Sequence, residues 1–168
     1  MATTRTPANP VRQSNASVPA PGEEKRLADG DATWYAGQLV YGSSDGLVYA
    51  CADAAEVIHY LAAEDLAAQT VDTTYVPLFR LHQDDALLMN VWHATASSAL
   101  ATEAQAGIRY DLTVRSNICH VDLEEQSEDA FQIVMPYWRV SAFDDASTDI
   151  YGRVLVNIIA AVVNAEGA

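Results

Sequence analysis

Positive charge is scarce in this chain. Its 168 residues hold nine lysines and arginines against 23 aspartates and glutamates, a formal net charge of −14, and Lys25 is the one lysine. Such a body repels the phosphate backbone of nucleic acid and the anionic face of a membrane, which excludes both as partners. Cysteine is nearly absent as well. Cys51 and Cys119 lie far apart and neither belongs to a CxxC pair, so zinc-site spacing is missing and two buried free thiols are expected. No run of 18 apolar residues occurs, and the N-terminus has no apolar signal-peptide core, so neither a membrane span nor secretion by signal peptide is expected. G-x-S-x-G, P-loop, GxGxxG, HExxH and EF-hand patterns are all missing, which removes the usual local signatures of hydrolase, nucleotide, zinc and calcium chemistry.

Proline is unevenly spread. Four of the six, Pro7, Pro10, Pro19 and Pro21, fall in residues 1–26, among Ala, Ser, Thr and Asn with almost nothing to bury. A segment of that kind does not offset its own ordering entropy, so residues 1–26 read as an extended arm. About 26 residues at ~3.3 Å each reach on the order of 80 Å, well past one small domain. Residues 1–27 carry four basic and two acidic side chains, whereas 28–168 carry five basic and 21 acidic. The arm is therefore the part suited to an acidic surface, through Arg5, Val11, Arg12, Val18, Lys25 and Arg26.

What is abundant is β-sheet chemistry, and it centres on Trp34 to Leu66. Gly42-Ser43-Ser44-Asp45-Gly46 separates Gln38–Tyr41 from Leu47–Ala50, runs rich in β-branched and aromatic residues, which marks a hairpin. Ile58–Ala62 reads as a third strand, and residues 63–69 as a loop or helical turn. Tyr75–His82 follows, with Pro77 arguing for a sheet edge or an irregular start, and then Ala86–His93. The alanine-rich stretch 94–107 predicts a short helix capped by Ser97 or Ser98 and closed by Gly107. Ile108–Arg115 alternates apolar and polar over eight residues, and Ser116-Asn117 fits a two-residue turn into Ile118–Leu123. Phe131–Met135 reads as a strand that continues to Val140 beyond Pro136. Tyr151–Ile159 reads as a last strand, buried on both faces or at an interface. The count predicts an all-β protein: a small barrel or sandwich of about eight to ten short strands, with the arm at 1–26 and the domain at 27–168.

Candidate chemistry is sparse. His59, His82, His93 and His120 each lie in or beside a predicted strand, without metal-ligand spacing. Glu124, Glu125, Glu128 and Asp129 form an acidic loop that reads as solvated surface rather than a calcium site. A small hydrolase built on His82, Asp84 and a serine needs geometry that sequence does not give. Neither catalytic residue, metal nor cofactor is expected. Trp34, Tyr35, Trp92 and Trp138 are candidates for an interface, where such residues are enriched.

The glycine-led turns at Gly37–Val40 and Gly46–Ala50, the Ala63–Asp65 segment, the later strands over Tyr75–Val91 and the terminal Asp149–Val154 together resemble the head decoration (cement) proteins of tailed bacteriophages. The likeness covers roughly residues 27–93 and the C-terminal strand. The chain departs from compact members in its arm and in residues 94–145, read as an insertion or a projection. The resemblance implies a non-enzymatic virion protein on the outer surface of an icosahedral capsid. It implies a homotrimer that grips the major capsid protein and cements the lattice, with no nucleic acid or membrane partner. A virion-displayed module that binds carbohydrate or a host surface through exposed tryptophans is the alternative.

Overall fold

The computed structural model describes residues 3–4, 11–13, 23–68, 73–82, 85–126, 130–136 and 149–159. Its strands are β1 (Thr3–Thr4), β2 (Val11–Gln13), β3 (Glu23–Ala28), β4 (Leu39–Gly42), β5 (Leu47–Ala50), β6 (Tyr60–Ala62), β7 (Tyr75–Arg80), β8 (Ala86–Trp92), β9 (Arg109–Arg115), β10 (Ile118–Asp122), β11 (Phe131–Pro136), β12 (Asp149–Ile150) and β13 (Arg153–Ile158). The protein is all-β. Two sheets close on themselves, so the expected single barrel is a pair.

The first barrel runs β3-β5-β4-β6-β7 and back to β3. Its centre is the hairpin expected at Gly42–Gly46. Tyr41 lies opposite Tyr49, their rings stacked at 5.5 Å. The Asp45 carboxylate accepts from Leu47 N–H at 2.8 Å and from the Tyr49 hydroxyl at 2.8 Å, tying the loop to its own strand. Those two bonds hold the Asp45 carboxyl below its ordinary range, and the bond to Asp45 pushes the Tyr49 hydroxyl up. Gly46 supplies the positive φ of 87° that the reversal needs. Inside, Val40, Val48, Tyr60, Ala62, Val76 and Leu78 pack around Trp34, which is held by a two-bond bridge to Leu66.

The second barrel closes through β10-β9-β11-β13-β8, with β8 pairing back onto β10 in parallel. Residues 94–145, read as an insertion, supply three of its five strands; the β9–β10–β11 run is core. The reason is burial: Tyr110, Leu112, Cys119, Val121, Phe131 and Ile133 join Leu87, Met89, Val91, Val154 and Val156 in one cluster. The Ser116-Asn117 turn is as expected, with φ of 52° and 60° between the paired Arg115 and Ile118.

The two barrels share that cluster. Leu39, Cys51, Ile58, Leu61 and Leu81 of the first barrel pack into it beside the second barrel's interior. The first sheet is thus buried on both faces here: in β6, Tyr60 and Ala62 face its own interior while Leu61 faces the seam. Ala54 N–H also donates to Leu112 C=O across the seam at 2.8 Å.

Several expectations are corrected. Pro77 is on an interior strand of a closed barrel, where β7 pairs with both β3 and β6, because closure leaves no edge. Stretch 94–107 forms two single 3₁₀ turns, Ala96–Ser98 and Glu103–Gln105, since neither offers a long apolar stripe to bury. β13 alternates, burying Val154, Val156 and Ile158 on one face only. The arm ends earlier than residue 26: Glu23–Ala28 is a barrel strand, so Lys25 and Arg26 belong to the body.

Leu39→Ala should cost about 2–5 kcal/mol in chemical denaturation, because Leu39 is wholly buried where the two cores meet. Asn117→Val, a β-branched residue forced to positive φ, should cost about 1–2 kcal/mol, and Asn117→Gly should not destabilise.

Candidate functional site

The structure separates the residues expected at an interface. Trp34 is only 2 % exposed and plugs the first barrel, so it is a core residue and not a contact; its flanking β-bridge draws the indole inward. Tyr35, one residue on, is 54 % exposed. The two line a cleft of about 490 Å³ with Thr33, Asp65, Leu66 and Asn117. Trp34 Nε1 is the one buried side-chain nitrogen or oxygen without a hydrogen-bond partner among the described residues. Trp92 is half-buried and its ring is covered by the Arg115 guanidinium, 4.5 Å from the centroid. Arg5, Val18 and Trp138 lie outside the described residues, as do Asp84, Glu128 and Asp129.

Two pieces of the arm are strands, one in a two-stranded sheet of its own and one on the second barrel. β1 pairs with β12 in parallel, Thr3 beside Asp149. β2, which carries Val11 and Arg12, pairs antiparallel with β8, Val11 opposite Leu88 and Gln13 opposite Ala86. β8 therefore uses one edge for β13 and shares the other between two strands: β2 over Ala86–Leu88 and β10 over Asn90–Trp92. Backbone pairing of this kind gives affinity without requiring particular side chains. By contrast Lys25 is exposed on β3, and the Arg26 guanidinium pairs with Glu24 at 3.0 Å and sits over the Tyr60 ring at 5.7 Å.

A second cleft, of about 280 Å³, opens where the loop after β5 meets the ends of β8, β9 and β10. The alternation in β9 explains its make-up. Tyr110 and Leu112 enter the core, while Asp111 and Thr113 face the other way and are nonetheless buried. Asp122 of β10 lies directly opposite Asp111 and beside Trp92 of β8, so two carboxyls and an indole form one row across three strands. Asp53, from the first barrel, accepts from Val114 N–H at 2.5 Å and from Arg115 Nη1 at 2.6 Å. Burial pushes the Asp122 carboxyl up, against the Glu124 N–H that bonds its Oδ1 at 3.0 Å. For Asp53 the Val114 and Arg115 contacts outweigh desolvation and pull the carboxyl down. Nothing in the sequence marked this cleft, because its walls come from residues 53 and 111–125.

The histidines are structural or surface groups. His59 Nδ1 accepts from Gly42 N–H at 3.0 Å, His93 lies 3.4 Å from Glu124, and His82 is exposed. No group of three or more metal-ligating side chains occurs among the described residues. Cys51 and Cys119 are buried free thiols, as expected, and burial pushes the Cys119 thiol up to about 12.

His120 is buried and its Nδ1 donates to Ile118 C=O at 2.9 Å. Burial pulls its imidazole down to about 4 from 6.5. Below pH 6.5 the unfolded chain takes up a proton that the folded chain refuses until about pH 4. Stability from this group is thus intact above pH 6.5 and lost as pH falls to 4, by about 3 kcal/mol in all. Denaturation at pH 7 and pH 4.5 should show that His120→Gln, compared with the parent, removes this acid-dependent loss.

No protein-family model, curated protein or solved structure matches the chain.

Proposed function

We propose that this chain is a structural virion protein that binds the outside of an icosahedral phage capsid and cements the major capsid lattice. The observation that carries the reading is the arm: β1, of two residues, pairs with β12 in a separate two-stranded sheet, and β2, of three residues, pairs with β8 of the second barrel, while the stretch 14–22 that follows carries Pro19 and Pro21. Short edge pairings of this kind transfer readily to a neighbouring sheet, since the bonds are main-chain and the cost of release is small. Two closed barrels with a common core supply the rigid body, and closure leaves few open edges to aggregate. Multivalent attachment then lets weak grips add up over a repeating lattice. The family likeness of the turns at Gly37–Val40 and Gly46–Ala50 supports the same reading, with a homotrimer as the unit and no catalysis.

The carbohydrate-binding alternative needs open aromatic faces. Trp34 is buried and Arg115 covers Trp92, so the described tryptophans favour the cement reading.

Removing residues 1–22, which spares β3, should leave the thermal unfolding transition of both barrels in place while co-sedimentation with empty heads of the cognate phage falls at least tenfold. Decoration at unchanged affinity by the truncated chain overturns the role of the arm. Removal of residues 1–26 instead should also lower stability, because it cuts away most of β3.

A further inference from the structure

Strand alternation puts two arginines at the mouth of the first barrel. Glu24 and Arg26 of β3 lie opposite Leu78 and Val76 of β7, and Arg80 lies opposite Tyr60 of β6. Val76, Leu78 and Tyr60 are buried in the barrel's interior, so Glu24, Arg26 and Arg80 carry that inner face on to where it meets solvent. Both guanidiniums lie over the Tyr60 ring, 5.7 and 5.9 Å from its centroid. They line a cleft of about 190 Å³ with Gly42, Ser43, Gly46 and Leu47 of the β4–β5 hairpin.

The cleft inverts the charge of the molecule. The chain carries −14 overall, yet the walls here hold two guanidiniums and no carboxylate. One acid outside the walls, Glu24, serves both: it accepts from Arg26 at 3.0 Å and lies 4.0 Å from Arg80. The Arg80 guanidinium makes no hydrogen bond among the described residues, so its N–H donors, steadied over an aromatic ring, are left to solvent and to the cleft they border. An open main-chain edge adjoins this pair. Ala28 N–H donates to Thr74 C=O beside β7, whereas Asp29 N–H donates to Val48 C=O of β5. The same alternation turns the N–H and C=O of Lys25 to the β5 side. There β5 pairs with β3 only at Leu27 and Ala28, because the chain before Leu47 leaves into the hairpin turn. The Lys25 main chain therefore has no ladder partner on that side among the described residues.

We propose that this mouth is a seat for an extended, carboxylate-bearing segment of a partner protein, whose main chain pairs with Lys25 and whose carboxylate meets Arg26 and Arg80 beside Tyr60. Two cations sharing one glutamate leave a single positive charge, which matches one acidic side chain, and a planar carboxylate fits the guanidinium fork. Strand addition gives affinity that any extended segment could use, and the arginines select among such segments. The seat stands independently of the capsid reading, since it asks only for an acidic residue on an exposed stretch of the other molecule.

The test titrates the full chain with a blocked peptide, Thr-Val-Glu-Val-Thr, and with the same peptide carrying Gln for Glu, following backbone amide shifts by NMR at low and high salt. The glutamate peptide should shift the amides of Lys25, Arg26, Gly46 and Arg80, more weakly as salt rises, and the glutamine peptide should bind about fivefold more weakly or worse. Arg80→Gln and Arg26→Gln, both at exposed positions that leave the fold intact, should each weaken the glutamate peptide about fivefold while the amides of the second barrel stay in place. N-methylation of the peptide main chain should weaken it as well. Equal binding of the two peptides, or indifference to both substitutions, overturns the proposal. Inorganic phosphate that binds more tightly than the glutamate peptide would make the cleft a small-anion site. Self-association of the chain that Arg80→Gln abolishes would make the occupant a second copy. Either result also overturns it.

Discussion

Leu39 sits where the two barrels meet, and the rest of the molecule is arranged about that seam. Its carbonyl accepts from Cys51 N–H at 3.0 Å within the first barrel, and its backbone bonds the Cys119 thiol of the second. Its side chain is fully buried in the cluster that continues through the second barrel. A five-stranded barrel of this size has too little interior to bury much on its own. Placing one sheet so that both of its faces are covered gives the pair a core that neither has alone. The first barrel's seam face, Leu39, Ile58 and Leu61 with Leu81 just beyond β7, is accordingly apolar in a way that a free-standing small barrel would not tolerate.

That shared core has a consequence for the surface. Because the barrels are locked together, loops and strand ends from distant parts of the chain meet at fixed distances. The Asp53 carboxylate reaches Val114 and Arg115, more than 60 residues away in sequence, and one wall of the Trp92 cleft is set by that contact. The seam thus does two jobs: it stabilises, and it brings the Asp53 carboxylate onto Val114 N–H and the Arg115 guanidinium. A rigid body of this sort suits attachment by geometry rather than by induced fit.

The arm works by the opposite physics. Its two strand segments are held by a handful of main-chain bonds, β2 sharing an edge of β8 that β10 does not fill. Such contacts are directional, sequence-tolerant and low in total energy, so they suit exchange between surfaces. The chain therefore pairs a body with a dense shared core with two short strand segments held by main-chain pairing. The proposed cement role draws on both: the body defines where the molecule sits, and the leader determines what it holds.

Hairpin chemistry was legible from sequence. Gly42–Gly46 and Ser116-Asn117 are local devices, set by φ preferences that act within four or five residues, and both turns are where the residues put them. The all-β class and the period-2 phase of β9 were legible for the same reason. What sequence did not reveal was partnership over distance. Trp34 looked like an interface residue because indole chemistry is the same in a core and on a surface; only the Leu66 bridge turns it inward. Residues 94–145 looked like an insertion because the closure of β8 onto β10 has no local signature. Lys25 and Arg26 looked like arm because charge is read locally and strand pairing with β7 is not. The amino-acid sequence by itself determined the turns, the strands and the charge imbalance, since each depends on near neighbours. Only the tertiary structure decided that there are two barrels, that they share Leu39, and that Asp111 and Asp122 face each other, because those facts are sums over residues far apart in the chain.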